Sequence, residues 1–89
     1  MYQFKASEEF WKNFYALDDA KKEVVREKWK VFKENPFDPS LGTHKIIRLT
    51  SLYKTLIYSV RIEGNLRIIF KIDDNQVFTI DIGTHDIYK

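Results

Sequence analysis

The 89-residue sequence has no cysteine, only two prolines and three glycines, and no low-complexity segment or internal repeat. Without cysteine there can be no disulfide and no thiolate metal site, which fits a reducing compartment. No apolar run approaches the ~20 residues that span a bilayer, and the first residues lack the segments of a signal peptide. With two distant histidines, we also expect no metal and no cofactor. We therefore expect a single cytoplasmic domain over residues 1–89.

Charge is unevenly distributed, although the formal net charge is only +2. Residues 1–40 carry eight basic and eight acidic side chains, whereas residues 44–71 carry six basic side chains and one acidic. The six are Lys45, Arg48, Lys54, Arg61, Arg67 and Lys71. A localised basic surface is the footprint of an anionic partner. The alternative is a solvated sheet face on which these charges need no partner.

The first forty residues predict an antiparallel helical hairpin. Ser7 is a suitable cap for a helix that begins with two glutamates, and Asp18 is a suitable cap for a second helix. Pro36 predicts the end of the second helix, because it disfavours helical backbone in the preceding residue. Apolar side chains recur at helical spacing in both segments. They are Phe10, Trp11, Phe14, Tyr15 and Leu17 in the first, and Val24, Val25, Trp29 and Phe32 in the second.

From His44 onward the hydrophobic period changes to two, which is typical of strands. Four strands are predicted, over residues 44–49, 56–62, 66–72 and 77–83. The predicted fold is an α+β domain in which the N-terminal helical hairpin packs on one side of a mainly antiparallel, four-stranded sheet. The apolar faces of the last three strands are Tyr58, Val60 and Ile62; Leu66, Ile68, Phe70 and Ile72; and Phe78, Ile80 and Ile82.

The register of these strands decides which polar residues meet. Apolar positions of neighbouring strands must share a face, which predicts a three-residue turn over residues 63–65 with Asn65 in the left-handed conformation. That turn pairs Ile62 with Leu66, Val60 with Ile68, Tyr58 with Phe70 and Arg61 with Arg67. The same argument at the next turn pairs Ile72 with Phe78, Phe70 with Ile80, Asp81 with Ile69 and Gly83 with Arg67.

Two arginines directly opposite each other repel, so this pairing requires an explanation. In one interpretation both side chains extend into water, with Asp81 as a partial partner. In the other, a bound anion bridges them, since paired guanidinium groups suit a phosphate. His85 follows closely, and its usual pKa near 6.5 suits proton transfer at neutral pH. Together with Tyr88, these residues are a plausible site for cleaving a phosphodiester.

Three segments carry a resemblance to a known family: "NPFDPSLGTHKI", "YSVRIEGNLRIIFKI" and "IDIGTHDIY". Their order after two helices resembles the RelE/ParE superfamily of bacterial toxins over essentially the whole chain. The ending "GTHDIY" is similar to the YafQ branch, and the arginine pair is more similar to the YoeB and RelE branches. His44 lies near a histidine that is used in the YafQ branch.

The resemblance implies a ribosome-dependent endoribonuclease that cuts mRNA and is blocked by a cognate antitoxin protein. By position it assigns catalysis to Arg61, Arg67, His85 and Tyr88. The implied reaction is attack of the RNA 2′-hydroxyl on the adjacent phosphate, which gives a 2′,3′-cyclic phosphate. Arginines would stabilise developing charge, His85 would transfer a proton, and Tyr88 would stack on a base or assist that transfer.

Other basic residues are candidates for binding RNA, namely Lys45, Arg48, Lys54 and Lys71, and Asp81 is a candidate for orienting Arg67 or His85. Two alternatives remain open at this point. The ParE branch inhibits DNA gyrase without being a nuclease, and a silent family member would bind only its antitoxin. Fold resemblance does not separate these activities.

Overall fold

The computed structural model describes residues 2–84. Within them lie five strands: β1 (Gln3–Ala6), β2 (His44–Lys45), β3 (Ile57–Glu63), β4 (Leu66–Asp73) and β5 (Gln76–Gly83). The helices are α1 (Glu8–Tyr15), α2 (Asp19–Glu34), α3 (Ile47–Tyr53) and a 3-10 turn at Pro39–Leu41. The strands form one sheet in the order β1-β5-β4-β3-β2, in which β1 is parallel to β5 and all other neighbours are antiparallel. The predicted α+β class and helical hairpin are confirmed.

One of the two helix caps also attaches the hairpin to the sheet. The Ser7 hydroxyl accepts a hydrogen bond from the Phe10 N–H at 3.0 Å and donates one to the Ile80 carbonyl of β5. Asp18 accepts a hydrogen bond from the Lys21 N–H at 2.8 Å, and this bond lowers the pKa of the Asp18 carboxyl. As predicted, α2 ends shortly before Pro36. The two cap residues therefore fix both helix starts, and Ser7 additionally fixes α1 against β5.

The main core lies between the hairpin and one face of the sheet. Each fully buried large apolar side chain contributes roughly 1.5–3 kcal/mol, so this layer dominates the stability of a chain this small. Its buried members are Phe10, Phe14, Val25, Phe32, Leu41, Val60, Ile62, Leu66, Ile68, Phe70, Val77 and Ile82. Among residues 2–84, no helix is long and apolar enough to cross a membrane.

Two predicted features of the sheet are wrong. The sheet has five strands, because β1 pairs in parallel with β5 and packs Phe4 against the core. The segment 44–49 is a strand only over its first two residues and continues as α3. Its apolar residues also fit helical spacing, and Leu49 packs against Ile57 and Ile69 on the sheet face away from the hairpin.

The turn between β3 and β4 differs from the predicted three-residue turn. It contains two residues, and the positive φ falls on Gly64 at 51° rather than on Asn65. Ile62 is an extra residue of a bulge, so Glu63 lies opposite Leu66 and the predicted Ile62–Leu66 pair is wrong. The bulge offsets the shorter turn, and the predicted pairing of Arg61 with Arg67 is confirmed.

The turn between β4 and β5 is also shorter than predicted, with Asp74 at a φ of 56°. A bulge at Ile80 then restores the predicted Asp81–Ile69 and Gly83–Arg67 pairs. Between turn and bulge the predicted pairs Ile72–Phe78 and Phe70–Ile80 are wrong, because the structure pairs Ile72 with Val77 and Phe70 with Thr79. Val77 and Thr79 consequently face the hairpin. Phe78 and Ile80 face the other side.

Ser7→Ala should destabilise the protein by about 1–3 kcal/mol, because it removes a helix cap and leaves the Ile80 carbonyl without its partner. Asp18→Ala is the matched control, since it removes a cap with no bond to the sheet. We expect a smaller loss from the control in urea unfolding followed by circular dichroism. Equal losses of unfolding free energy in the two variants would show that Ser7 contributes only as a helix cap.

Candidate functional site

The sheet face away from the helical hairpin carries rows of side chains across β3, β4 and β5. We call it the arginine face. Val60 and Ile68 point into the main core, and because neighbouring residues of a strand alternate, Arg61 and Arg67 point away from it. The rows are Arg61, Arg67 and Gly83; then Ser59, Ile69 and Asp81; then Ile57, Lys71 and Phe78. The burial of alternate apolar residues is therefore what places both arginines on the same face of the sheet, away from the hairpin.

Arg67 is partly buried, and two of its donors lack acceptors among the described residues. Its Nε and one terminal nitrogen, Nη1, are buried, and no residue of the described chain accepts a hydrogen bond from either. Arg61, directly opposite, is exposed. A buried donor without a partner costs roughly 1–3 kcal/mol, and more when the group is charged. An anion bound between the two guanidinium groups would supply the acceptors and reduce their repulsion.

Asp81 does not supply those acceptors. Its Oδ1 accepts hydrogen bonds from Asn13 Nδ2 of α1 at 2.7 Å and from the Ile82 N–H at 2.8 Å. Across residues 2–84, no ion pair joins Asp81 to Arg67. The partnership with Arg67 that the sequence indicated is therefore absent, and Asp81 fixes α1 to β5 instead. The sequence did not indicate this role of Asn13, since an isolated polar residue on a helix can serve many purposes.

His44 belongs to the arginine face. It pairs with Ser59 in the β2–β3 ladder, so it lies diagonal to Arg61, a relation that typically separates Cα atoms by about 7–8 Å. Its exposed ring places Nδ1 3.1 Å from the Gly42 carbonyl. A carbonyl only accepts, so this bond requires a proton on Nδ1 and leaves Nε2 of the neutral ring as an acceptor. The sequence had left the role of His44 open.

Two of the predicted catalytic residues, His85 and Tyr88, lie outside the described residues. The last residue of β5, Gly83, lies opposite Arg67 and precedes His85 by two positions. The four cations predicted to bind RNA are dispersed. Lys71 lies on the arginine face, whereas Lys45 pairs with Tyr58, whose ring packs on the main core, and so points to the opposite side. Arg48 and Lys54 are exposed, on α3 and at its C-terminal end.

If Arg67 requires an anion, inorganic phosphate should raise the melting temperature of the wild type. At ten times its dissociation constant the gain is about 1.4 kcal/mol, which corresponds to roughly 6–11 °C for a domain of this size. Arg67→Met should abolish the rise, and Arg26→Met, an arginine of α2 that pairs with Glu23, should keep it. Differential scanning calorimetry measures both. An equal rise in all three proteins would show general salt stabilisation.

No protein-family model and no curated protein sequence matches this chain. Solved structures match it over nearly its whole length. RelE of the archaeal RelE–RelB complex from Pyrococcus horikoshii has 15% identity, covers 93% of each chain and gives a TM-score of 0.72. YafQ from E. coli has 15% identity, 98% and 97% coverage and a TM-score of 0.75. YoeB from Staphylococcus aureus, solved as a dimer, has 18% identity, 94% and 97% coverage and a TM-score of 0.71. The chain thus has the RelE-like fold that its sequence pattern indicated.

Proposed function

We propose that this chain is the toxin of a type II toxin–antitoxin pair and cleaves mRNA on the ribosome without a metal ion. The observation that carries the proposal is Arg67, whose buried guanidinium nitrogens lack acceptors in the described chain while Arg61 lies opposite. This arrangement disfavours the interpretation in which Asp81 satisfies the arginines. Similarity to RelE, YafQ and YoeB structures supports the same function.

In the proposed reaction the RNA 2′-oxygen attacks the adjacent phosphorus and the bond to the 5′-oxygen breaks. The products are a 2′,3′-cyclic phosphate and a 5′-hydroxyl. Arg61 and Arg67 donate hydrogen bonds to the non-bridging oxygens, on which negative charge grows in the transition state. One group must remove the 2′-proton and another must protonate the 5′-oxygen.

Two histidines are available for these proton transfers. His44 lies on the arginine face with Nε2 as its acceptor nitrogen, which suits a general base. His85 remains a candidate for the second role, and Tyr88 remains a candidate for stacking on a base or assisting the transfer. So open a face holds a flexible substrate poorly. A strand already fixed in the ribosomal A site would supply the orientation that this small protein lacks.

Replacing Arg67 by alanine should lower the rate of mRNA cleavage on translating ribosomes by about 10²–10³, the usual loss from removing one donor to a developing charge. His44→Ala and His85→Ala should each lower it by about 10²–10⁴. Arg26→Ala, on the opposite side of the protein, should cut like the wild type. Primer extension on a translated message measures the rate, and growth arrest on expression reports it in cells.

Two outcomes would contradict the proposal, provided that circular dichroism shows the variants to be folded. Full cleavage by the Arg67→Ala protein would remove the arginine pair from the mechanism. Inhibition of DNA gyrase by the wild type, without any RNA cleavage, would instead support the ParE-like alternative. If the His85→Ala protein cuts normally, a group other than His85 must act as the general acid while His44 acts as the general base.

The proposed partner is an acidic antitoxin, and the surface that suits it is a groove of about 300 Å³ between α1 and α2. The side chains of Trp11 and Tyr15 at this groove are 45% and 64% exposed. Lys22 and Arg26 lie over aromatic rings there, at 6.0 and 5.7 Å from the centroids. An amphipathic helix with apolar and acidic side chains complements such a groove. The RelE–RelB complex supports a protein partner for this fold.

Tyr15→Ala should weaken antitoxin binding at least tenfold, because exposed aromatic anchors at the centre of an interface carry much of its energy. Tyr2→Ala is the matched control, since Tyr2 is 37% exposed and does not line the groove. Isothermal titration calorimetry with the purified antitoxin compares the two. Equal affinities would place the antitoxin on another surface, the arginine face included.

A further inference from the structure

The arginine face continues beyond the arginines to a second hollow. Its third row consists of Ile57, Lys71 and Phe78 on the three central strands. Together with Thr55 and Ile80 these residues line a depression of about 240 Å³. The volume is below the ~300–1,000 Å³ of pockets for drug-sized ligands. A single flat ring system is therefore a suitable occupant.

The hollow has an aromatic wall because of the bulge at Ile80. Without the bulge Phe78 would face the helical hairpin, and with it the ring lies on the open side of the sheet. Phe78 belongs to neither buried cluster of the described chain and is only partly buried. A phenylalanine in such a place does little for the core. Its ring is an accessible surface on which another ring can stack.

Lys71 supplies a cation beside that ring. Its Nζ lies 5.5 Å from the Phe78 ring centroid, and within residues 2–84 it forms no ion pair. An ammonium on a flexible stem can move from the ring to a phosphate as a base enters. An aromatic surface with an adjacent cation is the combination that single-stranded nucleic acids use for stacking and backbone contact.

The hollow and the arginines lie on one line. Arg67 and Lys71 are four residues apart on β4, which at the rise of a strand is about 13 Å. The row between them contains Ser59, Ile69 and Asp81, of which Ser59 and Ile69 are buried and Leu49 of α3 packs on Ile69. An extended strand can therefore pass from one site to the other beside α3, past the partly buried Asp81. A phosphate at the arginines would then leave a nucleotide further along the strand at Phe78.

We propose that the hollow lined by Lys71 and Phe78 is a nucleotide subsite, in which Phe78 stacks on a base beyond the two nucleotides that flank the bond held at Arg61 and Arg67. The subsite rests on the proposed function, since it binds the same RNA strand. It adds a contact that selects which bond of the strand reaches the arginines. Neither Phe78 nor the hollow is required for the chemical step itself.

The test compares binding of fluorescein-labelled single-stranded RNA of two and eight nucleotides, by anisotropy at about 50 mM salt, where phosphate contacts are strong. Phe78→Leu should weaken the octamer roughly 5- to 150-fold, the usual loss of one base–aromatic stack. The dinucleotide, too short to span both sites, should bind Phe78→Leu and wild type alike. Phe78→Tyr keeps the ring and should restore octamer binding.

Phe37→Leu is the matched control, because Phe37 is also a partly exposed phenylalanine, packs against Tyr58 on the other side of the sheet, and should leave octamer binding unchanged. Octamer binding by Phe78→Leu at the wild-type affinity, with cleavage intact, would overturn the subsite alone. A wild type that neither binds nor cuts RNA would overturn the proposed function and the subsite together. Loss of antitoxin binding but not of RNA binding in Phe78→Leu would assign the hollow to the protein partner.

Discussion

The pairing of β3 with β4 is the constraint from which the site follows. Val60 and Ile68 must face the helical hairpin to complete the core, and their burial leaves Arg61 and Arg67 side by side on the other face. A shift of one residue would bury a guanidinium in the apolar core and expose an isoleucine, which costs far more than the repulsion of the two cations. The folding energy of the core thus holds together two charges that repel each other.

Local chemistry was sufficient to predict the hairpin and the central register. Ser7 and Asp18 are strong caps, and apolar alternation in β3 and β4 permits one pairing. The missed elements lacked such signals. β1 has four residues and is held by a parallel pairing to a strand near the far end of the chain, and no local hydrophobic pattern indicates such a pairing. In segment 44–49 the apolar residues fit the spacing of a strand as well as that of a helix, and the packing of Leu49 against Ile57 and Ile69 favours the helix.

The site residues also divide into those that local sequence signals predict and those that only the folded sheet reveals. The Arg61–Arg67 pair follows from alternation, so the sequence predicts it even though the turn beside it is a different one. Phe78 depends on a bulge at Ile80 and a positive φ at Asp74, which are properties of the folded sheet. His44 depends on a ladder of two residues at the sheet edge. Where a bulge or a sheet edge sets the orientation of a side chain, its place in the site is therefore known only from the structure.

The two sides of the sheet carry different chemistry because the core divides them. The hairpin side presents aromatic rings with cations over them, which suits a protein surface. The arginine face presents three cations, and Asp81, its carboxylate in the middle row, is engaged by Asn13. Donors of Arg67 that lack acceptors in the described chain reduce the stability of the free protein, and a bound anion returns that stability. Natural sites commonly sacrifice stability for function in this way. Such a loss persists at Arg67 because the core fixes the position of β4 independently of any ligand.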